Sequence, residues 1–146
     1  MLYNQKVNIK GINIEKVINS FHSKDFIKFL ISFQPVKIIK WDGIENNISA
    51  HLKFWLFKWH TFIVVHKNYE RNENSLSFVD KGITLPLGIT EWNHLHEVRY
   101  SNNKIVIRDR INFKHKFYIF EFMLYPILIS PIIMRKFLYK IYFKKN

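Results

Sequence analysis

The chain has 146 residues and a mass of 17.8 kDa, enough for one domain with a sizeable core, and it has no cysteine, which excludes disulfides, thiolate metal sites and a cysteine nucleophile. Lys and Arg outnumber Asp and Glu by 23 to 11, a net charge of +12 that invites anionic partners. Yet 18 of those cations are Lys and only 5 are Arg, alongside 22 Ile, 14 Asn and 14 Phe against a single Ala, the bias of an A/T-rich coding sequence; with Arg scarce and no basic motif, nucleic acid is not an expected partner.

The opening MLYNQKVNIK carries no secretory leader, so a reducing cytoplasm is the expected compartment. YNQKVNIK reads as a first strand. Asn13 then caps a short helix with Ile14, Val17, Ile18 and Phe21 on one face, and Ser23 opens a second with Phe26, Ile27, Leu30 and Ile31, stopped by Pro35. From Val36 the apolar period is two. VKIIKWDGI is a strand running into the Asp42-Gly43 turn, and SAHLKFWLFKWHTFIVVHKNYE is too long for one strand and divides near Phe57-Lys58. SLSFVDKGI, TEWNHLHEVRY and KIVIRDRINF follow, separated by a loop over Leu85 to Gly88 and an Asn102-Asn103 turn.

From Phe117 to Met134 the chain is nearly all apolar, with Glu121 the only charge. That length would just span a membrane, but Glu121, Pro126, Pro131 and the helical spacing of Phe137, Leu138, Ile141 and Tyr142 favour one long helix, kinked or restarted near Pro126 and buried across a sheet. The Lys-rich end after Met134 reads as a solvated helix terminus, and a transient contact with a membrane surface is a further expectation. The short connections permit only hairpins, so the fold class is α+β: a single domain over residues 1–146 with a curved antiparallel sheet of about seven strands around the terminal helix.

NIEKVINSFHSKDFIKFL, VKIIKWDG, SFVDKGITLPLGITEWNHLHEV, IVIRDRINF and YPILISPIIMRKFLYKIYF occur in this order over nearly the whole chain, and together they resemble the START-like (SRPBCC) superfamily. The resemblance implies a helix-grip fold with a cavity between sheet and terminal helix, and a superfamily whose members range from carriers to cyclases to regulators.

Within that frame the polar residues stand out. Strand alternation puts Trp92, His94, His96, Val98 and Tyr100 on one face and Ile105, Ile107, Asp109, Ile111 and Phe113 on another, both directed inward. Asp109 is then a carboxylate aimed into an apolar interior, and His94 or His96 is its natural partner. Leu76, Phe78 and Asp80 share a face, with Asp80 near enough to the strand end to reach solvent. Trp55, Phe57 and Trp59 are expected to line the cavity rather than to stack on single-stranded nucleic acid.

The expected ligand-binding residues are Trp55, Trp92, His94, His96, Asp109, Tyr125 and Met134, the rings and the Met giving apolar contact and the His-Asp group receiving a polar end of a small hydrophobic molecule. The alternatives are a network that only satisfies its own polar groups in a filled core, as in a regulatory or adaptor protein, and a cyclase or dehydratase using the His-Asp pair as acid and base. A His-x-His pair without a placed third ligand does not make a metal site, and no cofactor fingerprint is present.

Overall fold

The computed structural model describes residues 1–145. Its elements, in chain order, are β1 (Leu2–Ile9), α1 (Ile14–Phe21), α2 (Lys24–Ile31), β2 (Val36–Trp41), β3 (Ser49–Leu56), β4 (Lys58–Asn72), β5 (Ser75–Thr84), β6 (Ile89–Ser101), β7 (Lys104–His115) and α3 (Tyr118–Lys145). All seven strands form one antiparallel sheet in the order β1-β7-β6-β5-β4-β3-β2, so β1 and β2, consecutive in sequence, lie on opposite edges and α1 and α2 bridge them. The long apolar run does divide at Phe57, which separates β3 from β4.

Local chemistry accounts for the boundaries. The Asn13 side chain accepts a 2.7 Å hydrogen bond from the Glu15 amide and caps α1, whereas the Ser23 side chain makes no capping bond to α2. Asn102 and Asn103 both adopt the left-handed region, φ 50° and 60°, which matches the twist of the β6–β7 hairpin. Gly88 has φ 75°, and a Cβ there would lie 2.6 Å from His115 Nε2, so this tight approach of the β5–β6 loop to the end of β7 requires glycine.

Two apolar clusters fill the space between sheet and helices. The larger joins Val17, Ile18, Phe21, Phe26 and Leu30 of α1 and α2 to Phe78, Val98, Ile105 and Ile107 of the sheet and to Leu138, Tyr139 and Phe143 near the end of α3. The smaller joins Ala50, Val64, Trp92, Ile111 and Phe113 to Ile129 and Ile132 of α3.

α3 departs from the expectation of a buried helix. It runs without interruption through Pro126 and Pro131, and its burial is confined to Glu121, Ile129, Ile132, Leu138, Tyr139 and Phe143. Tyr118, Ile119, Phe122, Met123, Ile127, Ile133, Phe137 and Ile141 are exposed. A helix apolar all round gives the periodicity no polar face from which to choose the buried one, and here only one stripe meets the sheet.

Candidate functional site

The two clusters are separated by a row of polar side chains. Five strands that lie side by side, β1, β7, β6, β5 and β4, each turn polar groups into the interior at one level: Gln5, Asp109, His94 with His96, Asp80, and His66. The row follows from register, since Gln5 stands opposite Asp109, Asp109 opposite His96, His94 opposite Asp80, and Asp80 opposite His66. α3 adds Tyr139 and Arg135 from above. Among neighbouring inward positions, Trp92, Ile111, Phe113 and Val64 belong to the smaller cluster and Val98, Ile107 and Phe78 to the larger, so the polar seam crosses the core.

Asp109 is the centre of this seam and is fully buried. Its Oδ1 is 3.1 Å from His94 Nε2, its Oδ2 accepts from Gln5 Nε2 at 2.9 Å, and the Tyr139 hydroxyl donates to it at 3.2–3.3 Å. Arg135 Nη1 is 3.7 Å away. Gln5 also donates to the Ile132 carbonyl of α3 at 2.7 Å, which ties β1 to the helix. Asp80 forms the second node, with His66 Nδ1 at 2.7 Å from one oxygen and His96 Nε2 at 3.0 Å from the other. His96 joins the nodes: its Nδ1 lies 3.3 Å from Asp109 Oδ1, near enough for charge attraction but outside hydrogen-bond geometry.

These contacts set the protonation states. Burial pushes the Asp109 carboxyl up, but the hydrogen bond from His94, the close approach of His96 and the charge of Arg135 outweigh it and hold the group well below the usual carboxylate range. Asp80 is likewise lowered, its burial opposed by the charge of His96 and by bonds from His66 and His96. His94 is pushed down to about 4 by burial and by the adjacent charge on His96, with Asp109 offsetting only part. His96 moves the other way, its burial outweighed first by the charge of Asp80 and then by its bond to that carboxylate and the nearness of Asp109, so its cationic form is favoured. Two carboxylates thus face two cations, His96 and Arg135, beside a neutral His94 whose ring centre is 3.8 Å from that of His96.

Such a group can present a neutral imidazole, a cationic imidazole and a guanidinium to one polar ligand atom, and in principle pass a proton between them. Asp80, His94 and His96 also offer ligand atoms within 4.8 Å of one another, but a cation among them would require His96 to lose its proton with Arg135 close by.

Of the residues singled out in the sequence, His94, His96 and Asp109 come together, with Trp92 beside them, edge-on to His94 at 6.4 Å. Tyr125 lies toward the smaller cluster, stacked on Phe113, and Met134 packs against the larger. Trp55 does not join them. Register and burial turn Ala50, Phe62 and Val64 into the core, so Trp55 and its cross-strand partner Trp59 stand on the opposite, solvent-facing side of the sheet, where the Lys37 ammonium lies 4.2 Å over the Trp59 ring. The expectation that these rings line the interior is therefore corrected, as are two others. Asp80 does not simply reach solvent but holds two histidines, and Arg135 is not part of a solvated terminus but turns inward to Asp109. Gln5, His66 and Tyr139 were not singled out. The available signal was a polar residue at an inward strand position, as in Gln5 between Tyr3 and Val7.

Neither a family model nor a curated protein matches the sequence. Solved structures do match in shape. Norcoclaurine synthase from Thalictrum flavum, a point mutant in complex with a transition-state analogue, aligns with a TM-score of 0.67 at 12% identity over 99% of this chain and 94% of that one. The protein Ara h 8.0201 aligns with a TM-score of 0.55 at 11% identity over the whole of both chains, and the Aha1 dimer from Colwellia psychrerythraea with 0.57 at 13% over 93% of each. The element order, the single curved antiparallel sheet and the terminal helix across it are those of these structures, and the chain has the START-like (SRPBCC), Bet v 1-type helix-grip fold.

Proposed function

We propose that this chain binds a small, mainly hydrophobic molecule between the sheet and α3, as a carrier or sensor, with the polar end of that molecule received by His94, His96 and Asp109. The observation that carries the reading is the buried seam. Four charged groups set between two apolar clusters are costly to bury, and apolar side chains of the same volume would serve a purely structural core at least as well. Three buried nitrogens of the seam, His66 Nε2, His96 Nδ1 and Arg135 Nε, make no hydrogen bond among the described residues. Trp92, Tyr125 and Met134 flank the seam and supply apolar contact. Entry is by way of α3, whose first turns bury only Glu121. The fold is compatible with such a role, since norcoclaurine synthase has been crystallised with dopamine and hydroxybenzaldehyde.

Native mass spectrometry of the protein purified from its own host tests the proposal. A retained small-molecule mass is expected, and His94→Gln, which keeps an N–H donor toward Asp109, is expected to lose that mass without lowering the melting temperature. Repeated absence of any bound mass from the unaltered protein, or equal retention by the variant, would overturn it.

A further inference from the structure

We propose that one end of the molecule is a docking surface for a bilayer containing anionic lipid. Register places the tip of the β3–β4 hairpin, the β5–β6 loop and the start of α3 at the same end of the sheet: Leu56 pairs with Lys58, Ile63 with Thr84, and Ile89 with His115, three residues before the first residue of α3. This end is rich in exposed apolar side chains. Trp55, Phe57 and Trp59 occupy the hairpin, Ile83 the end of β5, Phe117 the residue before α3, and Tyr118, Ile119, Phe122 and Met123 the start of α3. Exposed apolar side chains gathered at one end of a domain, from both sides of its sheet, mark an end that meets something apolar.

Charge selects the occupant. Lys53, Lys58, Lys81, Lys114 and Lys116 are exposed among these rings. The acids at this end are engaged: Glu91 pairs with Lys114 at 2.9 Å, and Glu121 is buried against the Met1 amino group at 3.3 Å. Tryptophan and tyrosine interleaved with lysine suit the headgroup level of a membrane, where rings sit at the boundary and ammonium groups meet phosphates. α3 would lie along that boundary rather than cross it, because Ile129, Ile132, Leu138, Tyr139 and Phe143 hold it to the sheet.

Phe57 gives the independent observation. It is 89% exposed, and its φ of 60° lies in the left-handed region, which a bulky aromatic adopts at a cost that Gly or Asn would avoid. Neither packing nor backbone geometry accounts for a phenylalanine there, whereas insertion of its ring below the headgroups does.

The test is co-sedimentation of the full chain with phosphatidylcholine vesicles, with and without phosphatidylglycerol. Sedimentation is expected only with the anionic lipid, and it weakens as salt is raised. Phe57→Asn should lower partition about tenfold, while its melting temperature stays level or rises because the turn is relieved. Lys58→Ser and Lys116→Ser should each lower it about fivefold. The proposal fails if Phe57→Asn sediments as well as the unaltered chain, if lipid charge makes no difference, or if no vesicle binds. In the last case, sedimentation velocity showing a dimer that Phe122→Ser dissolves would assign the surface to a second copy of the chain.

Discussion

Asp109 shows how a buried charge is made tolerable. A carboxylate without exposure is held by side chains from β1, β6 and α3, and without it Arg135 would lose the carboxylate nearest to it, while His96 would keep only Asp80. Asp109→Asn keeps the shape and removes the charge. Since breaking one side of a buried ion cluster typically costs about 3–5 kcal/mol, urea unfolding of this variant should show a loss of that size. Tyr139→Phe removes only a hydroxyl that donates to the same carboxylate, so its loss should be smaller, about 1.5–3 kcal/mol for a bond to a charged acceptor. Equal losses in the two variants would show that hydrogen bonding rather than charge balance governs the seam.

At the scale of elements, α3 has two unequal halves. Its second half inserts Leu138, Tyr139 and Phe143 into the larger cluster, while its first turns are held chiefly by Glu121, which accepts from the His115 amide at 3.0 Å. Pro131 has no N–H to offer the Ile127 carbonyl, and the Ser130 hydroxyl donates to that carbonyl at 3.3 Å instead. Amide exchange over residues 118–128 should therefore be faster than over 136–143, and Pro131→Ala should slow exchange around Ile127 and raise stability by about 1–3 kcal/mol. Uniform protection along α3 would count against entry of a ligand beneath its first half. The difference between the halves is also where sequence reasoning stops. The alternation in β6 and β7 fixes the inward faces, and so brings His94, His96 and Asp109 together, because one polar residue among apolar ones can point only one way. At Trp55 both strand faces carry rings, so alternation does not choose between them and the expectation of an inward Trp55 fails; the pairing of Ala50 with Val64 places the even positions inside. Arg135 followed the lysines of the terminus in composition, and only its contact with Asp109 separates it from them.

For the whole molecule, the seam links stability to pH in opposite senses on the two sides of neutrality. As pH falls below 6.5 the unfolded chain takes up a proton on His94, but the folded chain resists until about 4, so this histidine withdraws stability across that window, on the order of 3 kcal/mol. Asp80 and Asp109, both lowered in the fold, extend the loss: their contribution is present above the ordinary carboxylate value of 3.8 and disappears as pH drops beneath it. His96 is raised, so its contribution is complete below 6.5 and is lost as pH climbs through the folded value. The melting temperature should thus peak near neutrality and decline on both sides. His94→Gln cannot take up that proton, so in this variant the decline between pH 6.5 and 4 should flatten while the steeper fall below 4 persists. Thermal unfolding followed by circular dichroism across this range separates the two, and an unchanged acid slope in the variant would place the loss on other groups. A ligand carboxylate bound beside His94 would be drawn to the third cation that the seam acquires when this histidine takes up its proton, so retention of an acidic ligand should strengthen as pH falls toward that range, and equal retention across it would place the ligand's polar end away from His94.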